Sequence, residues 1–270
     1  MFRSIILISF LSSFTVSAAV PLFQDITEEQ FKGITREFSA NFVHTAVTPP
    51  ASLGDVFGIE IGVVGGITAS DETNKVVNSI DSDTTVENIP HAAIMAQVSI
   101  PFGISLEATM FPETEQSDLS ISTFSFAGKW TLTDSLIKIP FIDIAARFHM
   151  SSSEASFKTT DKVSDVPVDS EVVFDSSSWG ANITIGANLF LIKPYAGLGY
   201  VSTDTDLSVA ATSGTIFDTS FTSAQSASET HSGLQTILGA ELDLFILHIG
   251  AEYSNLLDTS KYSMKVSIAI

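Results

Sequence analysis

Residues 91–111, HAAIMAQVSIPFGISLEATMF, alternate between apolar and polar side chains on both sides of a short turn. The apolar positions are Ala92, Ile94, Ala96, Val98 and Ile100 before the turn, and Ile104, Leu106, Ala108 and Met110 after it. The opposite face carries small and polar residues, among them Gln97 and Glu107. A period of two predicts antiparallel strands joined at Pro101-Phe102-Gly103. The alternation alone leaves open whether the apolar face meets a protein core or lipid.

The N-terminus has the pattern of a secretory signal peptide. A basic start at Arg3 precedes the apolar run 5–14, and small residues follow at 16–19. The apolar run is too short for a membrane span, so we predict a cleaved signal peptide over 1–19. The chain contains no Cys, which excludes both a lipid anchor at the cleavage site and a disulfide framework.

The composition is unusual for a soluble secreted protein. Only 16% of the 270 residues are charged and 44% are hydrophobic, yet no later stretch reaches 18 consecutive apolar residues. A transmembrane β-barrel explains both facts, because its wall needs apolar residues only at alternate positions. A soluble secreted β-protein is the weaker alternative.

Ten segments repeat the alternation of the opening stretch. They are 57–68, 91–100, 104–111, 119–130, 141–150, 179–190, 195–202, 234–244, 247–256 and 262–270. Short connections alternate with longer ones, and the longest, near 69–90, 151–178 and 203–233, are rich in Ser, Thr and Asp. Outer-membrane barrels have short periplasmic turns and longer outer loops. We therefore predict an all-β, antiparallel up-and-down transmembrane barrel over 57–270 with about ten strands, eight and twelve being the alternatives.

The polar faces of these segments are poor in Lys and Glu and rich in Gly, Ser, Thr and Asn, as on 179–190. A water-exposed sheet carries more charge, so this face suits a confined lumen. The apolar faces then point outward to lipid.

The chain as a whole resembles bacterial outer-membrane β-barrel proteins. Its last segment, 262–270, resembles the C-terminal strand that barrel-assembly machinery reads in that superfamily, although it ends in Ile270 and not in an aromatic residue. The resemblance implies insertion into the outer membrane of a Gram-negative cell, with outer-membrane lipid, lipopolysaccharide and the assembly machinery as partners.

Residues 20–56 form a leader before the barrel. Thr27 and Gln30 have the spacing of a helix start, and Phe31, Ile34 and Phe38 then lie along one stripe, which predicts a short amphipathic helix. In layout only, this leader resembles the N-terminal hatch of the long-chain fatty acid transporter family. A helix against the periplasmic rim is the alternative, and the pattern does not separate the two.

Parity along the strands assigns a set of charged residues to the lumen. They are Glu60, Glu107, Lys129, Asp143, Arg147, His149, Glu241, Asp243, His248, Glu252 and Lys265. Since unpaired buried charges are costly, an ion-pair lattice is the favoured interpretation, and residues that tune solute passage are the alternative. Counting register across the predicted turns places Asp243 opposite His248 and Glu252 opposite Lys265.

Enzymatic readings find little support. The layout resembles that of omptin proteases, but the acidic pairs Asp81/Asp83 and Asp204/Asp206 lack a matching Asp-x-His, and the His149-Met-Ser151 stretch lacks the lipid-facing His that outer-membrane lipid hydrolases need. No motif predicts a catalytic site, a cofactor or a metal site. The net charge of −19 argues against nucleic-acid binding. Acidic loops suit bridging by Ca²⁺ or Mg²⁺ to lipopolysaccharide phosphates.

From the sequence we therefore predict a non-enzymatic outer-membrane barrel that passes a small solute. The transporter-like layout favours a hydrophobic one. A non-conducting structural or adhesion barrel that acts through its long acidic loops is the alternative function.

Overall fold

The computed structural model describes residues 28–54, 56–80, 82, 85–116, 119–163, 166–213, 215–216, 219–220 and 223–270. The predicted signal peptide and the predicted cap at Thr27 lie outside this part of the chain.

Strands dominate the structure. They are β1 (Gly58–Ala69), β2 (Asn88–Ile100), β3 (Ile104–Gln116), β4 (Leu119–Thr131), β5 (Ile142–Val163), β6 (Val166–Ala187), β7 (Ile192–Ser213), β8 (Thr215–Ile216), β9 (Thr219–Ser220), β10 (Ser223–Leu244), β11 (Leu247–Leu256) and β12 (Thr259–Ala269). The helices are α1 (Glu28–Phe42), α2 (Asp71–Ile80) and the single turn α3 (Leu132–Ser135). None of the helices in the described residues is both long and apolar enough to span a membrane.

Ten strands close into one antiparallel barrel, in the order β1-β12-β11-β10-β7-β6-β5-β4-β3-β2. The seam between first and last strands pairs Glu60 with Ala269 and Thr68 with Lys261. The two-residue strands β8 and β9 form a separate hairpin. The predicted fold class, a ten-stranded up-and-down barrel, is confirmed.

The apolar face of residues 91–111 lies on the outside of the barrel. Ile94 and Leu106 are 51% and 63% exposed on the outer wall, whereas Gln97 and Glu107 are 1% and 2% exposed inside. Side chains alternate across a strand, so the apolar face turns outward along both strands. The outer wall of the barrel is apolar and its inner wall is polar.

Two of the predicted long loops are wrong. Strands β5, β6, β7 and β10 have 22 residues each, so most of 151–178 and 203–233 continues the ladders. The third region, 69–90, contains α2. Ser- and Thr-rich sequence has a loop-like composition, but its backbone pairs normally when a neighbouring strand extends equally far.

The two ends of the barrel differ. We call one end the turn end; it holds the connections β2–β3, β4–β5, β6–β7 and β10–β11. The other end, which we call the loop end, holds the remaining connections. Each turn-end connection contains a Phe with positive φ, between 61° and 73°, that is strongly exposed. They are Phe102, Phe141, Phe190 and Phe245. A bulky residue in this conformation is strained, so each turn-end connection contains a strained residue with an exposed ring.

Candidate functional site

The lumen is occupied by the described part of the leader, residues 28–54. Of the predicted stripe, Ile34 is buried, Phe31 is half-buried, and the ring of Phe38 lies 5.3 Å from that of Phe174 on β6. Other buried leader residues pack against the wall, as Val43 does with Val201 and Val47 with Met95. The leader therefore contacts the inner wall along its described length.

Helix α1 is held at its C-terminus by a cation of the wall. The buried ammonium of Lys261 on β12 donates to the carbonyls of Ala40, Asn41 and Val43 at 3.3, 2.7 and 3.0 Å. The last carbonyls of a helix lack intrahelical partners and carry partial negative charge. The last turn of α1 itself contains no basic residue, so the wall supplies the cation.

Helix α2 covers α1 at the loop end. Glu37 on α1 accepts hydrogen bonds from the backbone N–H groups of Glu72 and Thr73, at 2.7 and 2.9 Å. A carboxylate satisfies the unpaired N–H groups of a helix start well. Gly33 permits this approach, because a Cβ there would lie 2.8 Å from the Cβ of Glu72.

The leader cluster, defined as Glu107, Arg147, Lys129, His44 and Thr48, joins wall and leader in the part of the lumen nearer the turn end. The Glu107 carboxylate lies 3.2 Å from Nε of Arg147 and 3.3 Å from Nε2 of His44, and it accepts a 2.9 Å bond from Thr48. Arg147 also donates to the Thr48 carbonyl at 3.2 Å. One wall carboxylate thus organises two wall cations and two leader side chains.

Below the leader cluster, the wall binds the leader backbone. Lys129 donates to the carbonyls of Pro49 and Ala51 at 2.9 and 3.2 Å, and Thr131 donates to that of Pro50 at 2.6 Å. These bonds satisfy carbonyls of an irregular segment that strand pairing does not reach.

The seam cluster, defined as Glu60, Glu241, His248, Lys265 and Ser267, joins strands of the wall to one another. Lys265 on β12 donates to Glu60 on β1 at 2.6 Å and also to Glu241 on β10. Nδ1 of His248 lies 3.6 and 3.7 Å from the same two carboxylates.

Glu60, Glu241 and His248 together have the spacing of a metal site, since their ligand atoms lie within 4.8 Å of one another. The Lys265 ammonium lies between the two carboxylates and supplies the positive charge there. Lys265 therefore binds both carboxylates in an ion-pair cluster of protein side chains, with the imidazole of His248 beside them.

Two predicted lumen residues lie near the turn end. Asp243 is opposite His248 as the register count predicted, with Nε2 of His248 at 3.9 Å, but its ion-pair partner is Lys193 on β7. Asp143 lies 3.4 Å from the hydroxyl of Thr133 in α3.

The predicted Glu252–Lys265 pair is wrong. Glu252 lies opposite Ser263, and Lys265 lies opposite Gly250. The cause is a two-residue connection, because β11 ends at Leu256 and β12 begins at Thr259, which shifts the register by two. Glu252 instead accepts a 2.9 Å bond from the hydroxyl of Tyr195.

The Tyr195 ring reaches Glu252 because Gly239 lies between them in the sheet. A Cβ on Gly239 would lie 2.3 Å from the ring. A glycine also leaves room for the ring of His149. This side chain is 1% exposed and stacks on His44 with ring centroids 5.8 Å apart. A Cβ on the neighbouring Gly180 would lie 2.5 Å from the imidazole of His149.

Sequence reasoning missed several of these residues. Lys261 shares the parity of Lys265, and an earlier start of the last strand would have revealed it. His44, Thr48 and Glu37 lie on the leader, where no periodic pattern distinguishes lumen contacts from solvent contacts.

The chain belongs to a family of unknown function (DUF6588), whose model matches residues 9–270. No curated protein matches the sequence.

Solved structures similar to this chain are outer-membrane barrels. Ail of Yersinia pestis is 11% identical, with 80% of this chain and 100% of that chain covered and a TM-score of 0.32. The NalP translocator domain of Neisseria meningitidis is 10% identical, with 89% and 94% covered and a TM-score of 0.41. The toluene transporter TodX of P. putida is 8% identical, with 83% and 92% covered and a TM-score of 0.31. The hatch-like layout of the fatty acid transporters remains an unconfirmed resemblance.

Proposed function

We propose that this chain is an outer-membrane barrel that passes a small solute when the leader moves aside. Its apolar outer wall and polar inner wall are the arrangement that a bilayer requires of a spanning barrel. The loop end, where β5, β6, β7 and β10 extend beyond the length that crosses a bilayer, then faces outward, and the turn end faces the periplasm.

The observation that carries the proposal is that a separate segment fills the lumen. Inward positions such as Ser125, Ser178, Thr184 and Gly197 are small, and the leader occupies the space that they leave. Larger side chains on the wall could fill a ten-stranded barrel without a separate segment. A removable segment leaves a pathway behind it.

The wall indicates the chemical class of the solute. The inner face is lined by hydroxyl groups such as those of Ser99, Ser105 and Thr109, together with the two charged clusters. Such a lining replaces water around a polar molecule, and it offers little to an apolar one. A small polar solute therefore fits the lumen better than the hydrophobic solute suggested by the transporter-like layout.

The extended strands favour a second candidate function, which is binding at the cell surface without conduction. Strands β5, β6, β7 and β10 have 22 residues each, about twice the 9–11 that cross a bilayer. Their upper halves project from the loop end as one sheet, which offers a surface for a macromolecular partner.

A reversible lock on the leader separates these functions. Hydroxyls of Ser39 on α1 and Thr205 on β7 lie 2.6 Å apart, and a matched pair within the wall, Ser151 and Ser178, also lies 2.6 Å apart. Since the chain has no Cys, S39C/T205C would cross-link leader to wall, and S151C/S178C would cross-link wall to wall.

The measurement is conductance in planar bilayers, with liposome swelling in small sugars as a second readout. We expect openings in the reduced S39C/T205C protein, at least tenfold fewer after oxidation, and no change on oxidation of S151C/S178C. Equal conductance of the oxidised and reduced S39C/T205C protein would overturn leader gating. Closed channels at every voltage, in this reduced protein and in Glu107→Gln, would overturn passage in favour of surface binding.

A further inference from the structure

The direction of the leader through the barrel follows from its contacts. Its upper part is at the loop end, where Glu37 binds the first turn of α2. The Asn41 side chain accepts from Thr68 at the top of β1 at 2.8 Å, and it donates to the Pro90 carbonyl near the start of β2 at 3.3 Å. The C-terminus of α1 therefore lies close to the loop end of the barrel, and its N-terminus lies no closer to the turn end.

The start of α1 contacts the projecting part of the wall. Lys32 lies 3.5 Å from Glu229, and Thr35 lies 2.9 Å from Nε2 of His231. Both wall residues lie in the upper half of β10, above the level at which pairing with β11 begins at Gln235.

The lower part of the leader reaches the opposite end. Thr131, which binds the Pro50 carbonyl, ends β4 at the turn end. The backbone N–H of Leu53 donates to Ser99, next to the β2–β3 turn, at 3.1 Å. Strand β1 then begins at Gly58 and runs back up the wall.

The leader therefore runs from the loop end to the turn end inside a barrel whose own first and last strands begin and end at the turn end. Helix α1 is about 22 Å long, and the extended residues after it add enough length to pass a bilayer-thick wall. An even number of strands leaves the ends of the barrel on one side, but it does not fix the start of the leader.

We propose that the leader crosses the outer membrane through the lumen, so that the start of α1 is displayed at the cell surface. This inference rests on the proposed outer-membrane insertion with the turn end in the periplasm. It goes beyond solute passage, because it assigns the N-terminal side of the protein to the exterior, where antibodies, proteases or surface partners can reach it.

Labelling of single cysteines on intact cells tests the proposal, since the natural chain has no Cys. Glu29→Cys reports on the start of α1, Lys75→Cys on α2 at the loop end, and Lys138→Cys on the turn end; all three positions are exposed. The reagent is a membrane-impermeant maleimide, applied before and after permeabilisation of the outer membrane.

We expect Glu29→Cys and Lys75→Cys to react at comparable rates on intact cells, and Lys138→Cys to react at least tenfold faster after permeabilisation. If Lys75→Cys reacts on intact cells and Glu29→Cys does not, the leader does not cross and the inference fails alone. If Lys138→Cys reacts on intact cells and Lys75→Cys does not, the membrane orientation fails as well. Lys32→Cys, on the same turn of α1, repeats the test should Glu29→Cys fail to fold.

Discussion

The leader cluster and the seam cluster are built from the same chemistry but connect different parts of the molecule. Each contains a nearly inaccessible wall carboxylate, Glu107 at 2% exposure and Glu241 at 1%, bound by a wall cation. Around Glu241, the partners Lys265 and His248 lie on strands, and Lys265 also binds Glu60 on β1. Around Glu107, the partners include His44 and Thr48, which lie on the leader.

This difference separates stability from gating. Losing a bond in the seam cluster weakens the wall whether or not the leader is present. Losing the bonds from Glu107 to His44 and Thr48 weakens the attachment of the leader and leaves the strand ladders intact. The two clusters should therefore respond to substitution in different measurements.

The largest effect is expected for Lys265→Met. It leaves two buried carboxylates without the ammonium between them, and removing one partner of a buried pair costs about 3–5 kcal/mol. The measurement is the free energy of unfolding in urea, followed through the two Trp residues of the chain in lipid vesicles. Met264→Leu, on the outward face beside it, is the matched control. An unchanged free energy would show that the seam does not depend on this cluster.

A smaller and different effect is expected for Glu107→Gln. Hydrogen bonds to a charged group contribute about 1.5–3 kcal/mol, so leader docking should weaken and the open-to-closed ratio should rise roughly 10- to 150-fold. Single-channel open probability measures this ratio. Glu252→Gln, which alters a buried wall carboxylate bound by Tyr195, should leave it unchanged. A rise in both variants would contradict the separation of the clusters.

Lys261→Met tests the leader at its helix end. Loss of the cation from the last carbonyls of α1 should weaken docking of that turn by about 1–2 kcal/mol, since favourable charge–helix contacts reach about 2 kcal/mol. Hydrogen exchange of the α1 amides should then accelerate about 5- to 30-fold, with amides of β11 as the internal reference. Equal protection in both proteins would show that the helix is held by its side-chain contacts alone.

The smallest effect is expected outside both clusters. Lys75 on α2 donates to Glu72 at 2.7 Å, and this hydrogen bond raises the pKa of the Lys75 ammonium. The pair is solvent-exposed, so water and salt screen it. Lys75→Ala should change neither unfolding nor open probability. A clear change in open probability would mean that the outer surface of α2 takes part in gating.

The register of neighbouring strands could be predicted where the length of the turn and the alternation of apolar and polar residues indicate the same pairing. Strands β10 and β11 are joined by Phe245-Ile246, and the predicted register Asp243–His248 is the one observed. Between β11 and β12, the connecting residues Leu257 and Asp258 adopt positive φ of 53° and 60° without the Gly or Asn that marks such a turn. That missing signal produced the error at Glu252.

The path of the leader could not be predicted for a different reason. The stripe of Phe31, Ile34 and Phe38 indicates that α1 has an apolar side, but a helix inside a polar lumen also uses its polar side. Thr35 and Ser39 bind wall residues that lie 196 and 166 positions away in the sequence, respectively. Contacts at that separation leave no local pattern in the sequence.

Lys261 and Lys265 lie four residues apart on the inner face of β12, which is the last strand of the barrel in chain order. The first binds three leader carbonyls, and the second binds Glu60 on the first strand. Both ammonium groups are buried, so closing the barrel without the leader in place would leave Lys261 without these partners at a free-energy penalty. Strand β12 thus binds both the leader and the first strand, and we expect the barrel to close during biogenesis around a leader that is already inside.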